Sequence, residues 1–171
     1  MRYTINKNTY VIKTEDKNMT KIIEKGKSIN KKEDPATIIS DSCSYYRYSL
    51  NYRVEESKKV FKSNYKNPII VDSENKIIFF PIKSITSKEN TWISYNNLVT
   101  FLRKKHNTIL VFFDGSTIIV PVNYSIISSQ VSKCFILDKM LEKLTKKLQK
   151  WRILCTLFFI KSLIYGIIYM Y

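Results

Sequence analysis

The spacing of apolar side chains changes at Ser125, and this change constrains the fold more than any other feature of the sequence. Before Ser125, short runs rich in Ile, Phe and Tyr alternate with polar turns, as in strands. After it, apolar residues recur mostly three or four positions apart, at Ile127, Val131, Phe135, Leu137, Leu141, Leu144 and Leu148. The pattern predicts an α+β fold: a mainly antiparallel β-sheet domain followed by a long basic amphipathic C-terminal helix of about six or seven turns.

Two pairs of β-branched runs predict antiparallel hairpins. Residues 108–113 and 116–122 flank Asp114-Gly115, which suits a type I′ turn because that turn needs two residues with positive φ. Pro121 marks the end or the edge of the second strand, since proline cannot donate to a ladder. Residues 67–72 and 76–82, separated by a polar turn, predict the other hairpin.

The remaining segments before Ser125 give weaker patterns. Residues 3–13 predict a hairpin, or a strand with a turn at Asn6-Lys7-Asn8. Residues 25–34 predict a charged loop, and residues 37–40 a short strand. Residues 96–105 fit either a short helix or a strand that leads into a basic cluster.

Basic residues greatly outnumber acidic ones. The chain has 29 Lys and Arg against 14 Asp and Glu, for a formal net charge of +15. This excess favours anionic partners such as nucleic acid. The abundance of Lys, Asn, Ile and Tyr, with only one Ala and three Gly, indicates AT-rich coding, which raises the Lys content whatever the function. The lysines of the predicted C-terminal helix also suit a merely solvated helix face.

Catalytic and metal-binding patterns are weak. The one His, His106, follows three cations and suits a surface loop. Cys43, Cys134 and Cys155 are odd in number and far apart, which disfavours a disulfide framework or a zinc site. Three Gly residues leave no glycine-rich phosphate loop. The sequence therefore predicts that the protein is not an enzyme and has neither cofactor nor metal.

The C-terminal residues 151–171 are nearly all apolar, with Lys161 in the middle of the stretch. A lysine at mid-bilayer costs roughly 3 kcal/mol in insertion. Three interpretations stay open: a helix packed on the domain or on a second subunit, a C-terminal membrane anchor, and an aberrant chain end. We predict a domain at residues 1–150 followed by this tail. The start of the chain has no secretory signal, which predicts a cytoplasmic location.

One central stretch combines cations with aromatic rings. Its cations are Arg47, Arg53, Lys58, Lys59, Lys62 and Lys66, and its rings are Tyr45, Tyr46, Tyr48, Tyr52, Phe61 and Tyr65. Cations neutralise phosphates, and rings can stack on or support nucleotides. A core segment with ordinary solvated lysines fits the same residues equally well.

The order of short motifs from Asp41 to Ser94 resembles the competence transcription factor family known as ComK. The motifs are Asp41-Ser42-Cys43-Ser44-Tyr45-Tyr46, Arg53, Lys66-Asn67-Pro68-Ile69-Ile70-Val71-Asp72, Ile78-Phe79-Phe80-Pro81 and Trp92-Ile93-Ser94. The Asp114-Gly115 hairpin, Pro121 and Tyr124-Ser125 continue the resemblance, which covers roughly residues 5 to 140. No single motif is diagnostic, but the combination in this order is fairly specific.

The resemblance implies a DNA-binding activator of competence (DNA-uptake) genes. Such proteins bind paired A/T-rich boxes, mainly through the minor groove, as homo-oligomers; the partners implied are double-stranded A/T-rich DNA, a second copy of the chain and RNA polymerase. Arg53 and Lys66 fall on basic positions of the family pattern. A narrow A/T minor groove attracts Arg and Lys, which agrees with this expectation. The candidate DNA-binding residues are Arg47, Arg53, Lys58, Lys59, Lys62 and Lys66, with Arg103, Lys104 and Lys105 as a second patch.

The chain also departs from the family pattern. Arg47 stands where the pattern has Gly after the paired aromatics, and Tyr52-Arg53-Val54 stands where it has Gly-Arg-Lys. The apolar tail replaces a polar C-terminal region. Two alternative functions therefore stay open: a membrane-associated basic protein anchored by residues 151–171, and an inactive relative that only oligomerises.

Overall fold

The computed structural model describes the backbone of residues 2–16 and 19–168, and their side chains except those of 154, 155 and 157–168. The described chain confirms the predicted α+β class, with antiparallel strands before a long C-terminal helix. The elements are β1 (Thr9–Asp16), β2 (Met19–Glu24), β3 (Lys27–Lys31), α1 (Pro35–Tyr45), α2 (Leu50–Phe61), β4 (Ile69–Asp72), β5 (Ile77–Pro81), β6 (Thr91–Ser94), β7 (Leu98–Lys104), β8 (Asn107–Phe112), β9 (Thr117–Val120) and α3 (Tyr124–Ile168).

Six strands form one antiparallel sheet in the order β3-β2-β1-β6-β5-β4. The meander β1 to β3 and the meander β4 to β6 join where β1 pairs with β6, which sets Ile12 opposite Trp92. Both side chains are fully buried. They share a hydrophobic cluster with Ile38, Ile39 and Cys43 of α1. The helix therefore packs its apolar side on this sheet, and the predicted hairpin at residues 67–82 is confirmed as β4 and β5.

The other three strands form a separate antiparallel sheet in the order β7-β8-β9. On β8, Leu110 and Phe112 are buried. The Phe112 ring stacks on Tyr10 of β1, with ring centroids 4.8 Å apart. The Asn97 side-chain amide also donates to the Thr9 carbonyl at 3.0 Å. These contacts attach the second sheet to the first strand. Of the two structures predicted for residues 96–105, the strand is the correct one, because Leu98–Lys104 form β7.

The predicted strand at residues 37–40 is wrong, because these residues lie in α1. The Asp34 carboxylate accepts a hydrogen bond from the Thr37 N–H at 2.9 Å, and Pro35 occupies the first turn. Both features start helices. The β-branched residues in this run favoured a strand, but capping and burial against the sheet outweigh that local preference.

The predicted loop at residues 25–34 is wrong in part, because it contains strand β3. Gly26, with φ of 72°, forms the turn that lets β3 pair with β2. At residues 3–13 the turn before Thr9 and the strand after it are confirmed. The hairpin predicted within that segment does not form, since β1 pairs with β2 and β6.

The hairpin around Asp114-Gly115 is confirmed as β8 and β9, and β9 ends immediately before Pro121. Its turn is not type I′, because Gly115 is the one residue of the described turn 113–116 with positive φ. The Gly115 N–H donates to the Phe112 carbonyl at 2.9 Å, and the Phe112 N–H donates to the Ser116 carbonyl at 3.0 Å. This is a three-residue loop, in which a turn is followed by a left-handed glycine.

The helix predicted from Ser125 is confirmed as α3, but its 45 residues, Tyr124–Ile168, make it much longer than the predicted six or seven turns. The chain consists of two structural units, Met1–Leu137 and Asp138–Tyr171. The predicted boundary at residue 150 stays a prediction. Of the helices in the described part of the chain, none combines the length and apolar character that a bilayer crossing requires. Most side chains of the predicted tail, residues 151–171, lie outside the described residues.

Candidate nucleic-acid interface

The turn after α1 places an exposed arginine at a left-handed backbone position. The Tyr48 N–H donates to the Cys43 carbonyl at 3.1 Å, and the Arg47 N–H donates to the Ser44 carbonyl at 3.1 Å. This pair of hydrogen bonds is a Schellman motif, whose left-handed residue is usually Gly. Here it is Arg47, with φ of 75°. The turn is therefore formed without the glycine that the ComK pattern has at this position.

The end of α2 presents several cations. The last turn carries Lys58 and Lys59, and Lys62 follows as the C-cap residue with φ of 48°. Lys59 and Lys62 are exposed, whereas the Lys58 ammonium donates to the Glu55 carboxylate at 2.8 Å. Cations at a helix C-terminus also interact favourably with the helix dipole. These lysines thus stabilise α2 and remain near the surface, where phosphate could reach them.

Arg53 lies beneath this surface. Its side chain is 5% exposed. The guanidinium donates to the Glu56 carboxylate at 3.0 Å and to the Ser73 hydroxyl at 3.4 Å, and it lies 4.2 Å from the centroid of the Tyr48 ring. These contacts connect α2 to the turn before it and to the β4–β5 turn. The position of Arg53 suits the support of neighbouring groups better than direct contact with DNA.

Tyrosines lie in the same region, and Tyr48 contacts Arg53. The Tyr48 and Tyr52 rings stack with centroids 5.0 Å apart, and both are about half exposed. Tyr45 is 70% exposed and Tyr65 is 64% exposed. Rings of this kind next to cations are typical of surfaces that bind nucleotides. Tyr46 instead supports the fold, because its hydroxyl donates to the Ile5 carbonyl at 2.8 Å.

The segment after α2 is held by the first turns of α3. The Lys66 carbonyl accepts from the Gln130 amide at 2.7 Å, and the Lys66 ammonium lies 4.8 Å from the Tyr65 ring centroid. Lys133 donates to the Asn67 side chain at 3.0 Å, and burial lowers the pKa of Lys133. The periodicity of α3 placed Lys133 on a polar helix face. Its position beside α2 depends on tertiary packing, and sequence patterns therefore did not identify it as a candidate site residue.

The second predicted patch lies on a different element. Arg103 and Lys104 end strand β7, and Lys105 forms the β7–β8 turn with φ of 52°. All three are exposed. The Arg103 guanidinium lies 5.5 Å from the Tyr124 ring centroid. The structure thus brings residues 47 to 66 together around α2 and sets residues 103 to 105 at a hairpin tip.

The groups that could support catalysis are poorly placed for it. Burial raises the pKa of the Cys43 thiol to about 12, although the charge of Arg53 lowers it, so the thiol is protonated at neutral pH. Burial also raises the pKa of Cys134. His106 is exposed in the β7–β8 turn. Among the side chains that the structure describes, no three His, Cys, Asp or Glu residues converge as a metal site requires.

Comparison with known proteins agrees with the resemblance. A family model described as ComK protein matches residues 1–146. The competence transcription factor of Bacillus subtilis (strain 168) is 31% identical over 133 residues, which cover 75% of this chain and 69% of that protein. No solved structure matches. The matching family model spans both sheets, α2 and the start of α3, and the chain therefore belongs to the ComK family.

Proposed function

We propose that this protein is a cytoplasmic DNA-binding activator of competence genes. Its membership of the ComK family and its similarity to a competence transcription factor support this function. The structural observation that carries it is the exposure of cations and rings along a single helix: Arg47 with Tyr48 and Tyr52 at the start of α2, and Lys59 and Lys62 at its end. Cations neutralise phosphates, and the adjacent rings can pack against sugars or bases.

The proposed target is double-stranded A/T-rich DNA, bound mainly through the minor groove. A narrow A/T minor groove has an enhanced negative potential, which draws in arginine and lysine side chains. Arg47 is the arginine best placed for this role in the α2 region, because it is exposed at a turn whereas Arg53 is buried. Arg103, Lys104 and Lys105 form a second contact on the hairpin tip. RNA polymerase is a further proposed partner.

The proposed self-association uses the open face of the three-stranded sheet. The strand register aligns Leu102, Ile109 and Ile119 on that face, next to Thr100, Val111 and Thr117. None of these six side chains is charged, and Lys104 is the cation at the hairpin end of the same face. Leu102 and Ile119 are 53% and 50% exposed. In a chain of net charge +15, two copies repel each other least where charge is absent. We therefore assign this face to a second copy of the chain.

Anisotropy titrations of the full chain with an A/T-box duplex and a G/C-rich duplex of equal length, over a range of salt, test the DNA-binding proposal. We expect at least tenfold preference for the A/T duplex, about 1.4 kcal/mol, that persists at moderate salt. Equal and steeply salt-dependent affinities would mean that the net charge alone drives binding. A chain that forms dimers but binds neither duplex would be an inactive relative.

A matched pair of charge substitutions locates the interface. Lys62→Gln removes an exposed cation from the end of α2, and Lys143→Gln removes one from α3. We expect Lys62→Gln to weaken binding more than Lys143→Gln does. The salt slope should also decrease by about 0.9 in Lys62→Gln, because the variant neutralises one phosphate fewer. Equal and small effects would place the interface elsewhere.

One observation favours a second function, association with an anionic membrane surface. In the unit Asp138–Tyr171, Leu144, Leu148 and Trp151 are exposed, and they alternate with Lys143, Lys146, Lys147 and Lys150. Helices with an apolar stripe and many lysines can lie in the headgroup layer of anionic lipid. Flotation with phosphatidylserine vesicles but not with phosphatidylcholine vesicles would support this function. Absence of flotation with both would exclude it.

A further inference from the structure

The left-handed positions of the backbone are occupied by one chemical class of side chain. Among the described residues, five other than glycine have positive φ, and all five are cations: Arg47, Lys62, Lys66, Lys76 and Lys105. Asn, Asp and His are the residues other than Gly that accept this conformation most readily. Lysine and arginine have no such preference, so the backbone itself does not select them.

These residues stand where glycine ordinarily stands. Arg47 is the left-handed residue of the Schellman motif after α1, and Lys62 is the left-handed C-cap of α2. Lys105 is the first residue of the tight β7–β8 turn, and Lys76 ends the β4–β5 turn. A left-handed residue with a Cβ is strained, which Gly avoids. Every one of these turns is therefore less stable with a cation than it would be with Gly.

AT-rich coding does not explain why these positive-φ positions hold cations rather than Asn. Lys and Asn codons both begin with two adenines, so AT-rich coding supplies both residues equally well. The chain contains 13 Asn residues, and none of those described has positive φ. Asn75 even stands directly before Lys76, outside the left-handed position. Asn would be less strained at these positions, and AT-rich codons encode it as readily as Lys. The property that Lys and Arg have and Asn lacks is positive charge, and we take charge to be what these sites require.

We infer that these turn cations are phosphate-contacting residues, whose charge is retained at the expense of backbone strain. The inference rests on the proposed DNA-binding function and adds Lys76 to the site. Ser73, in the turn that ends at Lys76, accepts a hydrogen bond from Arg53 at 3.4 Å, and Arg53 also lies against the Tyr48 ring, next to Arg47. Arg53 thereby ties the turns that carry Arg47 and Lys76 to α2. Lys62 follows the last turn of the same helix.

A combined substitution separates strain from charge. The full-length variant Arg47→Gly/Lys62→Gly/Lys76→Gly/Lys105→Gly removes four cations and relieves four strained positions. We expect the Tm to rise by a few degrees. We also expect affinity for an A/T-box duplex to fall at least tenfold and the salt slope to decrease by about 3 to 4, at about 0.9 per phosphate contact. A variant with Asn at the same four positions should behave in the same way.

The matched control removes the same charge from positions without positive φ. Lys7, Lys25, Lys32 and Lys88 are exposed, and the control replaces each with Gln. We expect this variant to keep most of its affinity. If the glycine variant loses no more affinity than the control, or if its Tm falls, the inference is wrong even though the wild-type protein binds DNA. If the wild-type protein binds neither an A/T nor a G/C duplex, the proposed function itself fails, and the inference with it.

Discussion

Arg53 combines a full positive charge with nearly complete burial. Its guanidinium donates to Glu56 and Ser73 and lies against the Tyr48 ring. Buried cations are tolerated in proteins when such partners compensate the lost hydration. The spacing of cations and rings in the sequence identified Arg53 as a candidate contact, but spacing carries no information on burial. Arg53, which falls on a basic position of the family pattern, is therefore better suited to position Tyr48 than to touch DNA.

Replacement of Arg53 should affect stability more than binding. We expect Arg53→Gln to lower the free energy of unfolding by about 1–3 kcal/mol, because the variant cannot form the hydrogen bonds of the buried guanidinium. The exposed Lys59→Gln should change stability by less than about 0.5 kcal/mol and lower DNA affinity instead. Urea denaturation and anisotropy titrations, made at a temperature where all variants are folded, measure both effects. A stable Arg53→Gln variant that binds more weakly than Lys59→Gln would show that Arg53 contacts DNA directly.

The elements that sequence patterns predicted correctly are those with strong local signals. The Asp-Gly turn and the helical periodicity after Ser125 identified β8, β9 and α3, because turn chemistry and apolar spacing are local properties.

The α1 segment was predicted as a strand although Asp34-Pro35 is a good helix start. Strand β3 was missed because Ile29 is its one apolar residue, which leaves no alternation to detect. The position of Lys133, against Phe61 and Asn67, depends on tertiary packing. The candidate site was therefore predicted residue by residue but not as an arrangement.

The N-cap of α2 is expected to stabilise the element to which we assign the proposed interface. The Ser49 hydroxyl accepts from the Tyr52 N–H at 3.2 Å. Ser49→Ala removes this bond and should cost about 0.5–2 kcal/mol of stability. The adjacent, exposed Asn51 gives the control, since Asn51→Ala leaves the cap intact. Thermal denaturation of both variants checks the prediction; equal Tm values for Ser49→Ala and the wild-type protein would show that the cap contributes little.

The net charge of +15 affects the association of the protein with DNA and with other copies of itself. Two positively charged copies repel each other in solution. When both bind one duplex, the negative phosphates offset their charge and reduce that repulsion. Assembly on DNA and binding to DNA should therefore support each other. The face of the β7-β8-β9 sheet that carries Leu102, Ile109 and Ile119 has Lys104 only at its hairpin end. Two copies could meet there without covering the cations around α2, because the two surfaces lie on different elements.

Charges introduced on this sheet face should prevent self-association. Leu102→Lys and Ile119→Lys place two new cations on β7 and β9, on either side of Ile109 of β8, where a second copy would bring two more against them. We expect the double variant to sediment as a monomer at protein concentrations where the wild-type chain forms dimers or larger assemblies. Ser28→Lys, on the exposed part of strand β3, adds charge away from the face and should leave the assembly unchanged. Sedimentation velocity distinguishes the cases: the same assembly in the double variant and the wild-type chain would show that copies meet through another surface. A wild-type chain that is monomeric both alone and on a two-box duplex would rule out self-association as part of its function.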